Sequence, residues 1–97
     1  MFLLKDCSVF SEIYFVSKNK KILETKLKEL IYKDSLMNPV EISLEALDLL
    51  DEYNVSYTRN KLDPFVTADV SFLQKEQIFN LSKHICHFYE ILEVEEI

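Results

Sequence analysis

The chain contains no glycine among its 97 residues, where average usage of about 7% would supply about seven. Glycine is the residue that lets a backbone take positive φ or approach a ligand closely. Phosphate-cradling loops, dinucleotide-binding turns and strained nucleophile elbows all depend on it. Its absence argues against those nucleotide-binding and hydrolase classes. Asn-Gly hairpins are excluded too, so tight turns here fall to Asn, Asp, Ser and Pro.

A core is nevertheless affordable. Hydrophobic residues make up 48% of the chain, with seven Phe and five Tyr, and a chain of this size buries roughly two-thirds of the surface that its unfolded form exposes. We expect one domain, residues 1–97, folding without disulfides, metal or cofactor. "MFLLKDC" offers only four apolar residues before Lys5 and Asp6, too few for a secretory signal. The expectation is an intracellular, cytoplasmic protein in which Cys7 and Cys86 stay free thiols. The Asn54-Val-Ser56 and Asn80-Leu-Ser82 triplets match glycosylation acceptors, but without a secretory signal they are coincidental.

Charge is unevenly spread. Residues 1–37 carry seven Lys against five acids, a net +2, while residues 38–97 carry four basic residues against twelve acids, a net −8. The larger portion repels nucleic acid and suits a basic partner. Lys outnumbers Arg ten to one, which suggests an AT-rich coding genome such as those of some bacteria, phages or mobile elements.

Periodicity predicts an α+β fold, with a small antiparallel sheet and about three helices packed on one face. "FLLK" and "VFSEIYFVS" read as an N-terminal β-hairpin. Ser17 is the expected cap of a first helix over about 18–34, with Lys18, Lys21 and Lys28 on its outer face. Asn38-Pro39-Val40-Glu41 has the form of a capped helix start, with Asn as cap, Pro in the first turn and Glu reaching back. It predicts a second helix over about 39–53. "VSYT" and "PFVTADV" are short edge-strand candidates. Ser71-Phe72-Leu73-Gln74 repeats the capping pattern and predicts a third helix from about 72. Alternation in "YEILEVE" favours a closing strand beside the hairpin.

"SKHICHFYE" raises the question of a metal or catalytic cluster. On a helix His84 and His87 lie about 60° apart, but Cys86 falls about 160° from His84 and about 100° from His87. The expectation is a helix C-terminus, where the imidazoles interact favourably with exposed carbonyls. No metal site and no catalytic residue is predicted.

The feature that points outward is acidic. Between Asp34 and Thr58 there are six acids and no Lys, Arg or His. If residues 39–53 are helical, Glu41, Glu45, Asp48 and Glu52 crowd into about 60° of the wheel and span about 16 Å. Such a row has no local counter-ion, so it fits a basic groove on another protein. The resulting expectation is a non-enzymatic protein-binding module, an acidic inhibitor- or immunity-type factor that masks a basic surface of a nucleic-acid-acting or toxin-like protein. The alternative is an accessory subunit that homodimerises or joins an assembly through the apolar side of the second helix. A small metal-binding protein or metal-assisted enzyme is the third reading. Membrane and direct nucleic-acid binding are not expected.

Overall fold

The computed structural model describes residues 1–7, 13–59 and 61–95. Their order is β1 (Phe2–Asp6), β2 (Ile13–Ser17), α1 (Lys20–Met37), β3 (Val40–Ser43), a 3₁₀ turn (Leu44–Ala46), α2 (Leu47–Glu52), β4 (Tyr57–Arg59), β5 (Phe65–Ala68), α3 (Lys75–Leu81), a second 3₁₀ turn (Ser82–His84) and β6 (Tyr89–Glu93). The class is α+β, with two three-stranded antiparallel sheets, β2-β1-β6 and β3-β5-β4. The sequence pattern implied only the first. Two compact units result: Met1–Glu29 with His87–Ile97, and Leu30–Cys86.

In the first unit the expected hairpin and closing strand are both present. β1 is central, and Leu4, fully buried, pairs with Phe15 on β2 and Ile91 on β6. The β1–β6 ladder extends past both strand ends, through Cys7 N–H to the Phe88 carbonyl at 2.6 Å and Val94 N–H to the Met1 carbonyl at 2.9 Å. The Val9–Glu12 portion of the predicted second strand lies outside the described residues. Helix α1 starts later than predicted. The Ser17 hydroxyl accepts from Asn19 N–H, and the Asn19 side-chain oxygen accepts from Lys21 N–H at 3.0 Å, so Asn19 caps the helix. On α1, Leu23 in this unit and Ile31 in the other are buried, and Ser35 is buried one turn beyond Ile31, donating its hydroxyl to the Ile31 carbonyl at 2.7 Å.

The second unit holds most of the core: of fourteen buried apolar residues among those described, only Leu4 and Leu23 lie outside it. Here the predicted helix over 39–53 is corrected. Residues Val40–Ser43 form a strand paired with β5, Val40 to Ala68 and Ile42 to Val66. Pro39 follows the end of α1, a common place for a residue that cannot continue a helix. β-Branched Val40 and Ile42 alternate with Glu41 and Ser43, so one pleat face enters the core and the other meets solvent. Ile42 and Val66 are fully buried, while Glu41 and its cross-strand neighbour Thr67 are exposed. An isolated bridge from Ile42 to Ile85 continues the sheet beyond β3. β5 is therefore central, and β4 takes the edge.

Helix formation begins only after Ser43, whose hydroxyl accepts from Glu45 N–H at 3.3 Å. α2 ends in a Schellman motif. Val55 N–H reaches the Leu50 carbonyl at 2.9 Å, Asn54 N–H reaches Asp51 at 3.2 Å, and Val55 is buried. Asn54 has φ of 57°. In a chain without glycine, asparagine fills the left-handed position at this helix end. The third helix also starts later than predicted. Ser71 instead closes a turn on Asp69, whose carboxylate accepts from the Ser71 N–H at 3.0 Å and hydroxyl at 2.6 Å. Gln74 N–H then donates to the Gln77 side chain at 3.0 Å, as in a capping box.

Two outcomes test this arrangement by urea denaturation. Asn54→Gly should keep stability within about 1 kcal/mol, whereas Asn54→Val should cost about 1–2 kcal/mol. Ile42→Ala should cost about 2–5 kcal/mol, and Ile13→Ala, at a residue 56% exposed, should stay within about 0.5 kcal/mol.

Candidate functional site

The four carboxylates expected in one row are split by the strand. Glu41 sits on the solvent pleat of β3, in register with Thr67 and, across β5, Thr58. Its backbone carbonyl accepts from Cys86 N–H at 2.9 Å. Glu45 lies in the 3₁₀ turn, and Asp48 and Glu52 lie on α2 one turn apart. All four are exposed. The row is therefore shorter than the one drawn on a continuous helix, and it consists of Glu45, Asp48 and Glu52.

Why those three reach solvent follows from what the other side of the segment buries. Ala46 and Leu50 are buried, and Leu44, Leu47 and Leu49 are half-buried. A short helix pinned along that side must present its remaining positions outward. Asp51, exposed as well, joins the surface and lies three residues from Asp48. Sequence reasoning left it out because a helix begun at Pro39 gave prominence to the spacing from Glu41. The apolar side proposed for self-association is largely occupied by this packing.

The His and Cys residues do not assemble. α3 stops at Leu81, and the chain leaves the 3₁₀ turn as extended backbone at Ile85. His84 closes that turn beside Lys83, in keeping with a basic residue near a helical C-terminus. The same expectation for His87 is corrected. It lies beyond any helix, stacks on Tyr89 with ring centroids 5.8 Å apart, and accepts from Tyr89 N–H on Nδ1 at 3.1 Å. Among the described residues no group of three or more His, Cys, Asp or Glu is placed to hold a metal ion.

Both cysteines are free and exposed. The Cys7 thiol donates to Glu90 Oε2 at 3.0 Å. That hydrogen bond, reinforced by slight desolvation and by the Glu90 charge, raises the thiol above its ordinary pKa. Partial desolvation, then the Glu41 carboxylate, raises Cys86. Neither thiol therefore has the electropositive surroundings of a nucleophile. Asp69 is shifted the other way, lowered by its hydrogen bonds from Ser71.

Apolar surface that sequence reasoning passed over lies on β2. Ile13, Tyr14, Phe15 and Val16 are all exposed. The available signal was a run of large hydrophobics that alternation alone assigned half to a core. Among the described residues no helix is long and apolar enough to cross a membrane. Comparison with family models, with curated proteins and with solved structures finds no match.

The Cys7–Glu90 contact gives a direct expectation. Cys7 should react with iodoacetamide at pH 8 more slowly than a model thiol, because the raised pKa leaves less thiolate. Glu90→Gln should speed it, and an unchanged rate in that variant would contradict the contact.

Proposed function

We propose that this chain is a non-enzymatic, cytoplasmic protein-binding module that occupies a basic surface of another protein. Its most concrete form is an inhibitor- or immunity-type factor that masks the groove of a nucleic-acid-acting or toxin-like partner. The single observation that carries this reading is the exposed row Glu45, Asp48 and Glu52, with Asp51 beside it, on a segment anchored by buried Ala46 and Leu50. The stretch from Asp34 to Thr58 contains no Lys, Arg or His, so the row has no cation from its own segment.

Like charges three or four residues apart destabilise a helix modestly. A cationic partner relieves that repulsion and gains electrostatically steered association. Steps of about 6 Å between successive carboxylates along a helix are similar to phosphate spacing on a nucleic-acid strand. The row thus suits a groove built for a polyanion. Glu41 stands apart on β3 and contributes at most to the surrounding negative field.

A second reading, an accessory subunit that self-associates, is favoured by the exposed apolar side chains of β2 rather than by the helix side. Ionic strength separates the two, because charge-driven capture weakens in salt and apolar association does not.

The test is affinity capture from the native host with wild type and the Glu45→Lys, Asp48→Lys, Glu52→Lys triple variant. The expected result is a basic protein that elutes with salt and is lost in the triple variant, which keeps its circular dichroism and urea midpoint. An unchanged captured set would overturn the proposal.

A further inference from the structure

His87 stands where the chain passes from the second unit back to the first, just before β6. Its neighbours are held by backbone bonds: Cys86 N–H donates to the Glu41 carbonyl at 2.9 Å, and the Phe88 carbonyl accepts from Cys7 N–H at 2.6 Å. His87 is tied by its side chain. The ring stacks on Tyr89, and Nδ1 accepts from Tyr89 N–H at 3.1 Å. That N–H belongs to the outer edge of the sheet β2-β1-β6. Antiparallel ladders alternate bonded and non-bonded pairs. The bonds of Cys7 with Phe88 and of Val94 with Met1 make Asp6 and Tyr89 a non-bonded pair, so Tyr89 N–H points away from β1.

We propose that this hydrogen bond is a pH-sensitive latch at the entry to β6, closed while His87 is neutral and opened by its protonation. A neutral imidazole has one bare nitrogen and an imidazolium has none. Nδ1 can therefore accept from Tyr89 only while Nε2 alone carries a proton. Imidazole ordinarily gains its second ring proton near about pH 6.5. The stacked contact survives that step, because a cation over an aromatic face is favourable; the hydrogen bond does not. Charged and titratable groups reach this face of the sheet from each element packed there. On β1, Asp6 is in register with Tyr89, and a carboxylate there favours the imidazolium. On β2, Tyr14 meets the Tyr89 ring edge-on at 5.9 Å. On α1, Lys26 lies over Phe15, which shares the pleat face of Leu4 and Ile91, and its charge opposes the imidazolium. On β6, Glu93 follows on the same face, while Lys5, Cys7 and Glu90 occupy the other. These groups tune the pH at which the latch opens, and the acceptor geometry is what makes it open.

The test is nuclear magnetic resonance of the full, nitrogen-15-labelled chain. At pH 8 the expected result is a His87 ring protonated on Nε2, with a nitrogen–nitrogen coupling across the hydrogen bond from Tyr89 N to His87 Nδ1. Acidification should abolish that coupling and shift the Tyr89 amide with the same midpoint as the His87 ring protons. His87→Asn supplies a side-chain oxygen that can accept from an N–H two residues on and does not titrate, so its Tyr89 amide should stay constant between pH 8 and 5.5. His87→Ala should place the Tyr89 amide at pH 8 near its wild-type position in acid. A His87 ring protonated on Nδ1 at pH 8, a coupling that outlasts ring protonation, or a Tyr89 amide whose midpoint differs from that of His87 would each overturn the proposal. The Glu45→Lys, Asp48→Lys, Glu52→Lys variant should keep the coupling at pH 8 and lose it in acid, so the latch and the acidic row can fail separately.

Discussion

The antiparallel pairing of Val40–Ser43 with Phe65–Ala68 is the constraint on which the larger unit depends. It places Ile42 against Val66, both fully buried, and turns Glu41 to solvent. It also decides where the next helix can begin. A helix starting at Pro39 would have carried four carboxylates in line; a strand there leaves the helical segment only Leu44–Glu52. The acidic surface is therefore a by-product of sheet formation: the same pleat that completes the core removes Glu41 from the row and leaves Glu45, Asp48 and Glu52 on the segment that follows.

How far the chain could be read in advance varied with the strength of the local signal. The hairpin and the long first helix were legible because each offered one dominant period, whereas in the closing strand alternation competed with a continuation of the third helix. The error at 39–53 arose from two signals that coincide. Asn38-Pro39-Val40-Glu41 fits a helix cap, but Val40-Glu41-Ile42-Ser43 also alternates apolar and polar in the strand period. Burial of Ile42 against Val66 and the Ile85 bridge settles the competition, and those contacts come from residues more than twenty positions away. The pairing within the second sheet was illegible for the same reason, although the VSYT and PFVTADV candidates fall on β4 and β5. The strands of that sheet are three or four residues long, and the pairing that stabilises them is non-local.

The missing glycines had a readable consequence. Turn chemistry was expected to fall to Asn, Asp, Ser and Pro, and Asn54 and the Asp69–Ser71 turn take those roles. The candidate site was less legible. Asp51 was hidden by a misplaced helix start, and the exposure of β2 could not be inferred, because a hydrophobic strand at a sheet edge has the same sequence as one at its centre. Two surfaces now stand out for opposite physical reasons. One is anionic and screened by salt; the other is apolar and uncharged.

Nuclear Overhauser spectroscopy of residues 38–44 tests the central claim most directly. The account predicts strong sequential Hα–HN contacts through Val40–Ser43, with cross-strand contacts between Ile42 and Val66 and between Val40 and Ala68. Medium-range Hα–HN contacts from residue i to i+3 that run unbroken from Pro39 into α2 would contradict it, and would restore Glu41 to a four-membered row.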